Sequence, residues 1–569
     1  MNGLMMNMPL MVSSLIEYAD RFHGDTEIVS RLTEGGVHRY TYADAHRRSR
    51  QIARALLGLG VGTGDRIGTL AWNNHRHFEL YYGISGIGAI CHTINPRLFP
   101  EHIGYIINHA EDSIIFFEAS FMPLVEKLAP HCPSVKTWVL LGDSDHIPQD
   151  TTLPDLLCYE DLIDGHSDDY DWPTFDENLA SSLCYTSGTT GHPKGVLYSH
   201  RSTILHAYAG ALPDSGNASA RDVALPVVPM FHVNAWGIPY IAPLVGAKLV
   251  LPGPFVDGRN IYNMIEQEQV TYAAGIPTVW IGLLHYVQQN GLAFTSLKRT
   301  LIGGVTCPPN LIKSFEEEYG VQIQHAWGMT ETSPIGTLNS FKSRHAALSA
   351  DEKLALKAKQ GRSIFGIQMK IVDGTGKSLP HDGKTFGDLL VRGPWVASGY
   401  FRGWEKNDGN DGSEEGGDDT HLLTDEKGLR WFHSGDVATI DPDGFMQITD
   451  RSKDIIKSGG EWISSLALET IAASHPAIAE AAVIGVPHPK WSERPLLLAV
   501  KKGNGVSREE LLAFYEGKTA HWCRPDDVVF VDSLPHTATG KLLKTRLREE
   551  FANHQMPETT ACNGLPIDS

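Results

Sequence analysis

At 569 residues the chain exceeds the roughly 250 to 300 at which a single hydrophobic core stops growing, so two or more domains are expected. Hydrophobic residues at 42% and charged residues at 20% are ordinary for a soluble globular protein, while a formal net charge of -19 argues against a nucleic-acid surface. No run of about 18 apolar residues is present to span a bilayer, and seven scattered cysteines without a C-x-x-C pair point to a reducing, cytoplasmic setting.

The first segment, Met1 to Val12, is apolar but lacks a basic region and a cleavage signal, so its methionines are expected to pack onto the body of the protein. Short apolar runs then alternate with helical patterns: Asp65–Ala71 precedes His77–Tyr82, Ser113–Phe117 precedes Phe121–Lys127, and Lys248–Leu251 precedes Ile261–Ile265. That rhythm predicts layered α/β architecture.

Within this region Tyr185–Val196 reads YTSGTTGHPKGV. Gly188, Gly191 and Gly195 let the backbone bring N–H groups close to an anion, Thr186, Ser187, Thr189 and Thr190 add hydroxyl donors, and Lys194 adds charge. The spacing is not that of a P-loop, because Lys194 stands between Pro193 and Gly195 with no helix-opening Ser or Thr after it. A phosphate-gripping loop of another kind is predicted.

Further motifs follow in order: Pro229–Gly237, Trp327–Thr332, Gly387–Gly393 with Gly399 and Tyr400, Phe432–Asp436, Asp450–Ile463 and Pro535–Lys541. From Gly387 to Arg402 the composition turns β-rich and glycine-punctuated, consistent with a distorted barrel. Glu405–Asp419 is acidic, glycine-rich and without a large apolar residue, and is expected to be a mobile surface loop; it lacks the spacing of an EF-hand. After Asp450 a small α+β unit is predicted, with helix Ser465–Ser474, strand Ala481–Ile484, helix Arg508–Tyr515 and strand Val528–Val531.

These six motifs, in this order, resemble the acyl-CoA synthetases of the adenylate-forming superfamily. Ala71–His77 and Cys91–Pro100 resemble the bacterial medium-chain and 3-methylmercaptopropionate CoA ligases within it. The resemblance implies an α/β protein whose large N-terminal domain, residues 1–449, combines α/β layers with a distorted β-barrel. A small mobile C-terminal α+β lid, residues 450–569, would turn on a hinge at Asp450, taken as a polar loop residue. Homodimers are usual in such enzymes.

The implied reaction converts a short- or medium-chain carboxylic acid to its acyl-CoA through acyl-AMP, using ATP, magnesium and coenzyme A. Attack of a carboxylate on the α-phosphate gathers negative charge, so positioning and charge neutralisation are the main demands. By resemblance, Thr186–Gly191 and Lys194 hold the triphosphate, and Thr186 and Glu331 ligate magnesium. Gly303, Gly304, Val305 and Trp327 form the adenine slot beside Gly328, Met329 and Thr330, and Asp436 and Arg451 hold the ribose. Lys453 and Lys457 add local positive charge. Lys541 bridges carboxylate and α-phosphate in the first half-reaction; Gly459, Gly460, Glu461 and Trp462 line a pantetheine tunnel in the second. His232 orients the carboxylate, and Trp236, Gly303, Gly328 and Pro334 border the acyl chain. Acetate-activating relatives carry a second tryptophan whose nearest counterpart here is Gly328, so extra room for a longer acid is expected. A long-chain acid, or an acceptor other than CoA, is the alternative; the Gly459–Trp462 segment favours CoA.

Overall fold

In a computed structural model the described residues are 1, 3–186, 192–402, 421–458, 461–503, 505–536, 542–552 and 554–556, with Glu461 described through its backbone alone. They build three sheets. The first runs Leu157–Cys158, Thr137–Leu140, Ile114–Phe117, Arg66–Leu70, Ile90–Thr93, Ala180–Tyr185, Gly195–Ser199. Its neighbours are parallel except the final pair, which is antiparallel. Strands such as Ile114–Phe117 and Ile90–Thr93 are buried along their whole length, as expected where helices cover both faces of a parallel sheet.

The strand–helix alternation legible in the sequence is present: Arg66–Leu70 leads to helix His75–Gly86, Ile114–Phe117 to Met122–Leu128, and Lys248–Leu251 to Gly258–Glu268. Helix His75–Gly86 is buried at every residue, and its first turn is capped by Asn74, whose side chain accepts from the His77 amide at 2.9 Å. Together with Tyr42–Gly58, His200–Ala211 and Ile238–Val245 it contributes to the largest core, which holds Phe78, Tyr81, Tyr82, Ile204, Trp236 and Tyr240.

The second sheet has fourteen strands and changes character at Gln322–Gly328. On one side this strand pairs in parallel with Arg299–Ile302, and the sheet continues through Tyr272–Gly275, Val223–Pro226, Lys248–Leu251 and Glu27–Arg31. On the other it pairs antiparallel with Ile335–Leu338, continuing through Gly361–Ser363, Phe445–Arg451, Arg430–Ile440, Phe386–Arg392 and Gln368–Val372. The expected distorted barrel is therefore corrected to an open antiparallel run among the described residues. Its first strand hands on to the parallel half instead of returning to Gln368–Val372.

The third sheet lies wholly beyond Asp450: Glu461–Ile463, Ile456–Ser458, Ser492–Lys501 and Ile478–His488, with Asp527–Phe530 parallel to Ser492–Lys501. Helices Ser465–Ala473, Arg508–Ala513 and Lys544–Glu550 accompany it. Ile456, Leu468, Val483, Leu497, Leu511 and Tyr515 form a separate core there. All four elements predicted for this unit are found.

The N-terminal methionines depart from expectation: Met1, Met5, Met6 and Met8 are exposed, and only Met11 is buried. The body first holds the backbone at Leu10, which donates to Glu177, and at Val12, which donates to His200. The acidic stretch Glu405–Asp419 lies outside the described residues.

Candidate active site

Strands Ala180–Tyr185 and Gly195–Ser199 form a hairpin whose mouth is closed by Thr186 and Lys194. The Thr186 amide donates to the Lys194 carbonyl at 2.9 Å, and the Lys194 amide donates back to the Thr186 hydroxyl at 3.0 Å. The loop they close, including the predicted phosphate ligands Ser187, Gly188, Thr189, Thr190 and Gly191, lies outside the described residues. The Lys194 ammonium sits 4.9 Å over the Tyr400 ring and 3.2 Å from His421 Nε2. Tyr400 donates its hydroxyl to Glu331 Oε1 at 2.6 Å. One aromatic side chain thus links the predicted phosphate lysine to the predicted magnesium ligand.

Glu331 is buried in a tight turn made by the chain reversing from Gly328 to Pro334. The Pro334 carbonyl accepts from the Met329 amide at 3.3 Å and from the Thr332 hydroxyl, and Thr332 Oγ1 also accepts from the Met329 amide at 3.0 Å. The Glu331 carbonyl accepts from Ala397 at 2.7 Å, and the Thr330 carbonyl from the Tyr198 hydroxyl at 2.6 Å. A Cβ on Gly328 would lie 1.9 Å from the Pro334 carbonyl oxygen. The reading of Gly328 as freed pocket space is therefore corrected: glycine is required because backbone crosses its α-carbon.

The residues expected at the nucleoside come together. Asp436 lies inside strand Arg430–Ile440, directly across from Arg451 on Phe445–Arg451. It accepts from the Trp327 indole N–H at 2.8 Å and from Arg451 Nε at 2.7 Å, while Ser434 Oγ accepts from its amide at 3.1 Å. Lying mid-strand, Asp436 caps no helix. Trp327 is itself buried, and a Cβ on Gly336 would lie 2.5 Å from its ring, so the indole serves as a fixed donor holding the carboxylate.

Residues expected at the acid cluster as well. Gly303 and Gly304 follow strand Arg299–Ile302, Gly304 with φ +84°, and a Cβ on Gly303 would lie 3.3 Å from Trp236 Cη2. Trp236 is buried and His232 half-buried. Val233, Asn234, Ala235 and Trp236 have φ of 47°, 49°, 48° and 57°, making a left-handed turn from four non-glycine residues. That conformation costs an L-residue roughly 1–2 kcal/mol. Its partner loop carries Pro334, and His206 lies between the two: His206 Nε2 accepts from the Ile335 amide at 3.2 Å, and a Cβ on Gly237 would lie 2.8 Å from the same ring. Burial pushes the His206 imidazole down to about 3, leaving it a neutral acceptor.

Sequence reasoning named neither Tyr400 nor His421 nor His206 as site residues. Tyr400 stood inside a recognised motif and was the detectable one; a single histidine in a helix or after a long loop gives no such signal.

From Asp450 onward the placement is more dispersed. Asp450 is buried at the end of strand Phe445–Arg451 and not in a loop, accepting from the Ser465 hydroxyl at 2.7 Å. Burial lowers the Lys453 ammonium from its usual range. Lys457 is exposed, and Trp462 lies across from it on the short hairpin Ile456–Ile463, its ring 5.8 Å from Phe386. Gly459, Gly460 and Lys541 lie outside the described residues, and of Glu461 only the backbone is described.

Comparison with known proteins matches both parts of the chain. The family model "AMP-binding enzyme" matches residues 15–401, and "AMP-binding enzyme C-terminal domain" matches residues 467–541. The chain is 54% identical to a 3-methylmercaptopropionyl-CoA ligase of Ruegeria lacuscaerulensis, over 97% of this chain and 99% of that one. It is 50% identical to a medium-chain-fatty-acid–CoA ligase of Ectopseudomonas oleovorans, over 97% and 98%. Among solved structures, an anthranilate CoA ligase in complex with anthranoyl-AMP superimposes with a TM-score of 0.80 at 25% identity, covering 96% of this chain and 98% of that one.

Proposed function

The chain belongs to the AMP-binding enzyme family, and from that premise we propose that it is an acid–thiol ligase that activates a short- or medium-chain carboxylic acid, 3-methylmercaptopropionate or a similar fatty acid. ATP and the acid give acyl-AMP and pyrophosphate; the CoA thiolate then attacks the acyl carbonyl and AMP leaves. The observation that carries this reading is the Trp327–Asp436–Arg451 arrangement, in which one buried carboxylate is fixed by two donors from separate strands beside the Glu331 turn. Two acceptor oxygens held in this way suit the vicinal hydroxyls of a ribose.

Oxygen donors at Glu331 and Thr186 fit magnesium, which needs only one or two protein oxygens beside phosphates and water. Among the described residues no group of three or more His, Cys, Asp or Glu side chains is placed to hold another metal. Bound there, magnesium would neutralise phosphate charge. Lys194, steered by Tyr400 and His421, adds its own charge at the mouth of the hairpin.

Trp236, packed against Gly303, supports a pocket of limited length. The long-chain alternative draws support from 43% identity to a long-chain-fatty-acid–CoA ligase of Thermus thermophilus. We take residues 1–449 and 450–569 as the two domains, with Asp450 as hinge, in a cytoplasmic homodimer; no helix among the described residues is long and apolar enough to cross a membrane. Limited proteolysis and light scattering check the domain boundary and the dimer.

The deciding experiment is CoA-dependent pyrophosphate release across acetate, butyrate, 3-methylmercaptopropionate, octanoate and palmitate. A maximum among the middle three is expected. A maximum at palmitate would overturn the chain-length reading, and no release with any acid would overturn the activity.

A further inference from the structure

We propose that Asn234 is a specificity-positioning residue: its amide, hydrogen-bonded into a buried polar cluster, locks the left-handed turn that keeps Trp236 against Gly303 and thereby limits the length of acid admitted. That role rests on Trp236 being a wall of the acid pocket.

Asn234 lies in the middle of the turn and is buried, as are Tyr81, Thr93, Ser182 and Cys184 around it. Its Nδ2 donates to Ser182 Oγ at 3.0 Å. Its Oδ1 lies 3.3 Å from the Tyr81 hydroxyl, 3.4 Å from Cys184 Sγ and 3.5 Å from Thr93 Oγ1. The Tyr81 hydroxyl also reaches the Met230 carbonyl at 2.5 Å, fixing the chain just before the turn. These four neighbours come from helix His75–Gly86 and from strands Ile90–Thr93 and Ala180–Tyr185, all rigid elements of the first sheet's layer.

Asparagine is among the side chains that best tolerate the left-handed region, whereas Val233 and Trp236 are poor candidates for it. The backbone ties the turn at its ends: the Ala235 amide reaches the Pro229 and His232 carbonyls at 3.2 Å, and the Gly237 amide reaches the Asn234 carbonyl at 3.0 Å and that of Ala235. Four consecutive non-glycine residues at positive φ persist only when their surroundings over-determine them. The side chain that supplies such an anchor from within the turn is Asn234. Releasing it lets the turn relax toward right-handed dihedrals, which turns the Trp236 indole away from Gly303. Strand Ala180–Tyr185 also runs directly into Thr186, so the same anchor fixes the acid wall relative to the mouth of the phosphate hairpin.

The test is acid-dependent pyrophosphate release by the full chain with butyrate, octanoate and palmitate, comparing Asn234→Ala, Asn234→Gly, Ser182→Ala and Trp236→Ala. The expected result is a rise of about tenfold in the palmitate-to-butyrate ratio of kcat/KM for Trp236→Ala and Asn234→Ala, and of about threefold for Ser182→Ala. Asn234→Gly, which removes backbone strain along with the amide, is expected to follow Asn234→Ala; wild-type preference in that variant would overturn the anchoring role. A shift with Trp236→Ala, but equal losses on all acids with the Asn234 and Ser182 variants, would also overturn it while keeping Trp236 as the wall. An unchanged ratio with Trp236→Ala would overturn the reading on which the role rests. If the Asn234 variants fail to fold, Ser182→Ala decides: an unchanged ratio there counts against the anchor.

Discussion

The large body and the segment from Asp450 onward hold buried ionisable groups differently: several histidines of the large body stand apart as neutral partners, whereas a carboxylate–lysine cluster stands at Asp450. In the large body His77, His200 and His325 are pushed down to about 4 and His206 to about 3, each mainly by burial. They act as neutral ring partners: His206 Nε2 accepts from Ile335, His325 Nε2 from Cys307, and His200 Nδ1 from Val12, while His77 Nε2 lies 3.0 Å from Thr69 Oγ1. At Asp450 and just beyond it stand carboxylates, of a kind the large body also buries at Glu79, Asp112 and Glu118. Glu469 is pushed up to about 7 and Asp450 is raised, both first by burial, with the Lys544 ammonium opposing the rise. Lys544 Nζ sits 2.6 Å from Glu469 and 2.7 Å from Ser465 Oγ, which in turn donates to Asp450. These histidines are fixed neutral partners within their body, whereas Glu469, Asp450 and Lys544 form a charge cluster at the start of the C-terminal unit. On the proposed domain division, the histidines belong to the scaffold and the cluster to the lid at its hinge.

The sharpest division of labour is chemical. If Lys541 has the role that the family resemblance implies, stabilising charge only in the first transition state, Lys541→Ala is expected to lower acyl-AMP formation by about a thousandfold or more while leaving thioester formation from supplied acyl-AMP largely intact. Separate assays of the two half-reactions check this; equal loss in both would erase the distinction between scaffold and lid. Next in size, Asp436→Ala should raise the KM for ATP about a hundredfold, because a buried acceptor for two donors is lost. Titration of ATP at saturating acid gives the value, and a change confined to the KM for the acid would remove Asp436 from the nucleotide site.

Local signals carried most of the fold. Alternation and turn chemistry marked the strand–helix pairs and all four elements of the C-terminal unit, because those patterns depend on residues a few positions apart. The closure of the site did not show. Trp327 and Asp436 were each named, but their hydrogen bond spans 109 positions. Tyr400 was named within a motif, yet its place between Lys194 and Glu331 depends on three distant segments meeting. Gly328 was misread because an absent side chain looks the same in sequence whether it leaves a cavity or admits backbone; here the Pro334 carbonyl occupies the space. The barrel failed for a related reason. Strand composition does not record that Gln322–Gly328 pairs differently on its two edges.

Acid should weaken the large body first. For a histidine whose folded value lies below the ordinary 6.5, the unfolded chain binds more protons between the two values, so the stability present above 6.5 is lost as pH falls toward 4. At pH 5 each of these histidines accounts for about 2 kcal/mol, enough together to lower the melting temperature strongly. Glu118, pushed up to about 7 in the same body, offsets part of this. Melting scans from pH 7.5 to 5 test the balance, and His206→Gln should flatten the slope. The same pH dependence in the native chain and in His206→Gln would mean that this imidazole does not carry the acid sensitivity.

The smallest effect probes the charge cluster itself. Glu469 has a folded value of about 7 against 4.5 unfolded, so its contribution is fully present below 4.5 and is lost as pH rises through 7, the reverse of the histidines. Lys544 limits that loss by favouring the carboxylate. Lys544→Met removes the limit, raises the folded value further and should steepen the loss between pH 6 and 8 by about 1 kcal/mol. Because both bodies contribute to global melting, the measurement is amide hydrogen exchange in strand Ser492–Lys501, which reports the C-terminal unit alone. Faster exchange at pH 8 than at pH 6, after correction for intrinsic rates and larger in the variant than in the native chain, is expected. Parallel pH dependence in the two proteins would show that Lys544 and Glu469 do not share their charge. The junction at Asp450 would then be held by packing and the Ser465 hydrogen bonds alone.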